Sequence, residues 1–174
     1  MRRGEIAALA WGHIDLDKAT VRVERSAEQT AAGVQFKAPK TRSGLRTISL
    51  PASAVSMLRE HHVHQAEQRL VLGLGRQGAT DPVFARADAE PWPPNEISRH
   101  WYELTRRYDL PRVAFHALRH THASALIAAG LDIVSISKRL GHASPTITLD
   151  VYAHKFHTND DAAARAIDAA MNLR

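Results

Sequence analysis

The chain has no cysteine. That excludes a disulfide framework and any thiolate metal site, and it fits the reducing cytoplasm. No apolar run approaches the roughly 20 residues that span a bilayer. The opening stretch, MRRGEIAALAW, has neither the length nor the cleavage site of a secretory signal. Internal repeats and low-complexity tracts are absent as well. Lysine is scarce: five residues against eighteen arginines. What is present suits one globular domain of 174 residues, 44% hydrophobic and 24% charged. The formal net charge is +5 and the pI about 10.0. Arginine makes forked contacts with phosphate, so nucleic acid is the first partner to consider. A GC-rich genome that encodes arginine in place of lysine on a solvated surface gives the same composition, and composition alone does not separate the two.

Hydrophobic periodicity organises the chain into a mixed architecture. RRGEIAALAW predicts a short helix with Ile6, Leu9 and Ala10 on one side. ATVRVERS, GVQFKA and RTISL alternate apolar and polar residues, which predicts a small antiparallel three-stranded sheet over residues 19–50. Pro39, Ser43 and Gly44 supply turn chemistry, so the last two strands read as a hairpin with Lys40, Thr41 and Arg42 near its tip. A helix over 52–71 would bury Val55, Leu58, Val63, Leu70 and Val71. After the loop GLGRQGATDP, Pro94 opens a helix carrying Ile97, Trp101 and Leu104. The helix over 116–129 places Leu118, Ala125, Leu126 and Ala129 on one face and ends at Gly130. Asp132 caps the next helix, 133–140, and Gly141 sits where a left-handed terminator belongs. Ser144 and Pro145 start another helix, with Tyr152 two turns in, on the Thr148 side and away from Ile147 and Val151. A last alanine-rich helix covers roughly 160–172, with Ile167 and Met171 on one face. The fold class is therefore α+β, mainly helical, with a small antiparallel three-stranded sheet packed against a helical bundle.

Polar chemistry concentrates near the C-terminus. LGHASPTITLDVYAH, residues 140–154, holds two histidines, and its polar groups recur at His142, Ser144, Thr148, Tyr152 and His154. Tyr152 in isolation is a packed aromatic, a hydrogen-bonding partner or a nucleophile. HALR sets His116 and Arg119 on one helical face, but eleven histidines and eighteen arginines give about one such pair by chance. His116 and His120 have the i, i+4 spacing of zinc helices. No acidic residue lies between them and Arg119 would stand beside the ion, so no metal is expected at 116–122. HHVH at 61–64 reads as the exposed end of a helix.

MRRGE, then PKTRSGLRTISL, HALRH and LGHASPTITLDVYAH occur in that order. Together they resemble the tyrosine recombinases, also called phage integrases, over essentially the whole chain. The resemblance implies the DNA breaking-rejoining catalytic fold over residues 1–157, with a C-terminal tail helix at 158–174. Family members carry further helices before the first motif, so the chain reads as a catalytic domain lacking its first helices. Carried over by motif, the implied catalytic residues are Arg2, Lys40, His116, Arg119, His142 and Tyr152. Thr148, Ser144 and His154 read as structural.

Those residue types suit the implied reaction. Cleaving a phosphodiester without metal needs fixed positive charge around a phosphorane, and two guanidiniums provide it through forked contacts. A phenol with a reference pKa of about 10 is a poor nucleophile. Local positive charge and a base, here His116, would ease loss of its proton. Lys40 is a reasonable acid for the departing sugar oxygen, and His142 can hydrogen-bond the phosphate. The implied product of the first step is a 3′-phosphotyrosyl DNA, rejoined without ATP. The expected partner is double-stranded DNA, with self-association on DNA through the tail. No cofactor, metal, nucleotide or membrane is expected, and the implied location is the cytoplasm, at the nucleoid. Two other readings stand beside this one: a non-catalytic DNA-binding remnant and a type IB topoisomerase-like enzyme.

Overall fold

A computed structural model of the chain describes residues 1–39, 41–153 and 160–171. The described elements are α1 (Arg3–Ala7), β1 (Ile14–Asp15), β2 (Thr20–Val23), β3 (Ser26–Thr30), β4 (Gly33–Lys37), β5 (Arg46–Ser49), α2 (Ala52–Val71), α3 (Pro94–Arg107), α4 (Ala117–Ala128), α5 (Ile133–Leu140), α6 (Pro145–Tyr152) and α7 (Asp160–Met171). The mainly helical α+β class with a small antiparallel sheet is as the sequence implies.

The strand pairing differs from the predicted one. The three-stranded sheet runs β1-β2-β5, with Val21 opposite Ile48 and Val23 opposite Arg46. β4 pairs instead with β3 in a separate two-stranded ribbon, Ser26 opposite Lys37 and Thr30 opposite Gly33. Alternation through ATVRVERS hides the break at Glu24–Arg25. SAEQT carries one apolar residue, Ala27, so it shows no period that would mark a strand; its partner β4 makes it one. The segment between β4 and β5 is thus a connection with a 3-10 turn at Arg42–Gly44, not the tip of a paired hairpin. Lys40 lies outside the described residues, as does His154.

Three helices turn a different face inward from the one their apolar residues suggest. In α2, Val63, Leu70 and Val71 are exposed. The packing face is Leu58, His61, His62 and Gln65, which meets Trp11. The Trp11 indole Nε1 donates to Gln65 Oε1 at 2.7 Å, and the His62 ring meets the indole edge-on at 4.4 Å. His61 and His62 are therefore half-buried packing residues, not an exposed helix end. In α4 the buried stripe is Arg119, Ala123 and Ile127, whereas Leu118 and Ala125 are exposed and only Leu126 of the expected face packs on the core. The predicted face left out Arg119, and the buried stripe lies about one position away from that face. α3 likewise buries Thr105 in place of Leu104.

Helix ends follow local chemistry as read. The Asp132 carboxylate accepts from Ser135 N at 2.9 Å and Ser144 Oγ accepts from Thr146 N at 3.1 Å, each satisfying a free first-turn donor. Gly141 ends α5 at φ 70°, a left-handed conformation that suits glycine.

The core has two main parts. One gathers Leu9, Trp11, Val21, Val23, Ile48 and Val83 between the sheet and α2. The other gathers Ala123, Ile127, Ile136, Leu140 and Tyr152 among α4, α5 and α6. Between them runs a polar seam. Arg139 on α5 donates to Ser49 O at 3.1 Å, and Arg46 on β5 donates back to Arg139 O at 2.9 Å.

Candidate active site

The seam is where the sequence-predicted residues converge. Arg2 stands immediately before α1. Its Nη2 donates across the seam to Gly141 O at 3.1 Å, and its Nη1 donates to Glu5 Oε1 at 3.0 Å. Arg119, buried on α4, donates through Nη2 to Leu140 O. Both guanidiniums therefore reach the turn that carries His142. Gly141 is needed there twice over: a Cβ at this position would sit 2.7 Å from Arg46 Nη1. His142 Nδ1 shares a hydrogen bond with Thr148 Oγ1 at 2.8 Å, which fixes the ring against α6.

Glu5 and Arg46 complete the frame, and neither stood out in the sequence as a functional residue. The Glu5 carboxylate accepts from Arg46 Nη1 and Nη2 at 3.0 and 2.8 Å and from the Arg2 backbone N–H at 2.7 Å. Burial alone would push this carboxyl up. Hydrogen bonds from Arg46 and from the Arg2 backbone, with the charge of Arg46, outweigh it and hold the pKa at about 2. Glu5 is therefore ionised at neutral pH. In the sequence Arg46 appears only as part of the alternating strand RTISL.

The electrostatic balance is strongly positive. Three guanidiniums, Arg2, Arg46 and Arg119, face one carboxylate. Burial, then the charges of Arg119, Arg2 and Arg46, depress the His142 imidazole to about 4, so it is neutral at pH 7. Burial lowers His116 too, with the charges of His120, Arg119 and Arg2 acting in the same direction. Burial and Arg2 bring Arg119 down to about 10, where it keeps its charge at neutral pH. Its Nη1 is buried and has no hydrogen-bond partner. A buried donor left open beside two other cations is an invitation to an anion.

Tyr152 is 4% exposed, at the C-terminal end of α6 on the same stripe as Thr148. Burial raises its phenol, and the charge of Arg119 opposes that. Its hydroxyl is bonded not to His116 but to His120 Nδ1, at 2.7 Å. The His116 ring meets the His120 ring edge-to-face at 5.1 Å. Of the six predicted site residues, the structure thus brings together Arg2, His116, Arg119, His142 and Tyr152. Lys40 is outside the described residues, although its neighbours Pro39 and Thr41 line a cleft with Arg2 and Glu5. His120 was legible only as half of a metal-like spacing. Among the described residues no three His, Asp or Glu side chains come close enough to share a metal ion, and no described helix is long and apolar enough to cross a membrane.

An open cleft of about 770 Å³ continues from Arg2 and His116, bordered by Arg3, Trp101, Tyr102 and Arg112. Basic and aromatic side chains thus lead away from the cationic centre.

Comparison with known proteins identifies the family and the fold. Residues 1–159 match the phage integrase family. The tyrosine recombinase XerC-like protein of Caldanaerobacter subterraneus is 30% identical over 165 residues, covering 88% of this chain and 42% of that protein. The ICEBs1 integrase of Bacillus subtilis is 28% identical over 168 residues, covering 97% and 45%. The chain therefore spans less than half the length of these curated relatives. The Tn1549 transposon integrase, solved in complex with transposon right end DNA, shares the fold with a TM-score of 0.77 at 21% identity, over 97% of this chain and 54% of that one.

Proposed function

Since the chain belongs to the phage integrase family, we propose that it is the catalytic part of a site-specific DNA recombinase, which cuts and rejoins duplex DNA through a 3′-phosphotyrosyl intermediate. One observation carries the reading: Arg2 and Arg119 meet at the 140–142 turn, beside a buried tyrosine whose hydroxyl is already hydrogen-bonded to an imidazole.

The roles follow from charge and reach. The scissile phosphate sits against Arg2 and the open Nη1 of Arg119, which stabilise the negative charge that grows on its nonbridging oxygens. Neutral His142 donates to the same oxygens through the nitrogen that Thr148 does not hold. Glu5 and Arg46 are positioning residues: Glu5 holds Arg2, and Arg46 holds the Arg139 carbonyl at the end of α5, without touching the phosphate. Tyr152 attacks phosphorus, and Lys40 protonates the departing 5′ oxygen. The cleft beyond His116 takes the adjoining DNA backbone, with Arg3 and Arg112 as phosphate contacts. Residues 1–157 act as the catalytic unit, working on DNA at the nucleoid. The tail at 158–174 serves self-association on DNA, a role that fits the exposure of Ile167 and Met171 on α7.

The test uses a pool of nicked duplexes of randomised sequence, in which cleavage releases a short strand that cannot rejoin. Wild type should give a protein–DNA complex that survives detergent, and Tyr152→Phe should give none while binding DNA within a few-fold of wild type. Trapping that persists in the phenylalanine variant would sink the assignment.

A further inference from the structure

The phenol of Tyr152 meets a residue outside the six that the motifs supplied, and from that contact we infer that His120 is the base that takes the Tyr152 proton. The inference deepens the recombinase reading and rests on it. His120 Nδ1 lies 2.7 Å from the hydroxyl, with the two rings tilted at 49° and 5.7 Å apart. That is hydrogen-bond reach without any rearrangement, the first requirement for a general base. The hydroxyl belongs to a tyrosine that is 4% exposed, so bulk water is poorly placed to accept its proton. His116, one helical turn earlier, makes no hydrogen bond to the phenol among the described residues. It packs edge-to-face on His120 instead, at 77° between the planes. This contact orients the His120 ring and leaves the His116 nitrogens available to the phosphate.

The step balances. In the tautomer with its ring proton on Nε2, His120 offers the Nδ1 lone pair to the phenol. The O–H bond of Tyr152 breaks and the proton passes to Nδ1. The phenolic oxygen forms a bond to phosphorus as the bond from phosphorus to the 5′ oxygen breaks, and that oxygen takes a proton from the acid proposed at Lys40. His120 becomes an imidazolium when the phosphorane carries its greatest negative charge, so a positive charge appears next to the growing anion. On rejoining, the 5′ hydroxyl gives its proton back to the group proposed at Lys40 as its oxygen bonds to phosphorus, the bond from phosphorus to the phenolic oxygen breaks, and His120 returns the proton to the leaving phenol.

His120 is itself solvent-exposed on α4, so substitutions there leave the core intact. The test compares wild type, His120→Asn, His120→Ala and His116→Ala on the nicked-duplex pool. Asparagine keeps an acceptor for the phenol but cannot take its proton. Both His120 variants should trap DNA about 100-fold more slowly than wild type or worse, the usual contribution of a general base. Added imidazole should restore His120→Ala, and a series of substituted imidazoles should restore it in order of basicity. A purely structural role would not give that order. Trapping by either His120 variant within about threefold of wild type would overturn the assignment. So would loss without rescue in His120→Ala, or rescue confined to His116→Ala. Absence of any covalent complex in wild type would overturn the nucleophile reading and this one with it. Normal wild-type trapping with unaffected His120 variants would remove only the base.

Discussion

Replacing Glu5 with glutamine removes the one carboxylate in a ring of three guanidiniums, and the cost can be worked from the structure. The side chains of Glu5 and Arg46 are 4% and 7% exposed, so the pair is buried. Removing one partner of a buried ion pair costs about 3–5 kcal/mol, because the other charge is left uncompensated. The pKa of Glu5 gives an independent figure. It falls from 4.5 to about 2 in the folded chain, which corresponds to about 3 kcal/mol of stability at neutral pH. Arg2 is 44% exposed on its side chain and adds little to this figure, being screened by water. For a chain of this size about 3 kcal/mol lowers Tm by about 6–12 °C. A depressed carboxylate contributes in full above its unfolded pKa, and the contribution is lost as pH falls through the folded value. The stability of wild type should therefore decline between about pH 4.5 and pH 2, and Glu5→Gln should lack that part of the decline. Thermal unfolding by circular dichroism at pH 7 and at steps down to pH 2 measures both. A Glu5→Gln variant within about 1 °C of wild type at pH 7, or one with an unchanged acid limb, would refute the reasoning.

Three further outcomes follow from the same geometry. Arg119→Lys leaves one ammonium where a fork both holds Leu140 O and presents a second donor, so covalent trapping on nicked duplex should fall by about 100-fold or more while the circular dichroism spectrum is retained; trapping near wild-type rate would refute the phosphate role. Arg112→Ala, in the open cleft, should weaken binding to a fluorescein-labelled duplex and reduce the slope of log affinity against log salt by about one, the signature of one lost phosphate contact; an unchanged slope would take DNA out of that cleft. Ile167→Asp, on the exposed face of α7, should lower the oligomeric state on DNA in sedimentation without unfolding the monomer, and unchanged assembly would exclude the tail as a coupling element.

Much of the site was legible in the sequence because its residues stand at fixed steps on helices with readable ends. Asp132, Gly141, Ser144 and Pro145 mark where α5 stops and α6 starts, and those ends alone put His142 on a turn and Tyr152 beside Thr148. The parts that were not legible involve charged groups turned inward. Glu5 and Arg46 are buried because they satisfy one another, and Arg46 and Arg119 because they also satisfy backbone carbonyls at Arg139 and Leu140, contacts between residues up to 93 positions apart in sequence. No period within α4 or β5 records that. The predicted inward face of α4 left out Arg119, and His120 stood out in the sequence only through a zinc-like spacing that its neighbours argue against, so its pairing with Tyr152 was not visible. The strand β3 was missed for a related reason: it depends on pairing with β4, and its own residues carry little apolar signal.

The most direct test of the central reading is the chemical identity of the DNA adduct. Wild-type protein is incubated with the nicked-duplex pool, denatured, treated with nuclease and protease, and analysed by mass spectrometry. The expected result is a peptide from α6 carrying a nucleotide through a 3′-phosphate ester on Tyr152, with the freed strand ending in a 5′ hydroxyl. An adduct on any other residue, or cleavage with no adduct at all, would contradict it.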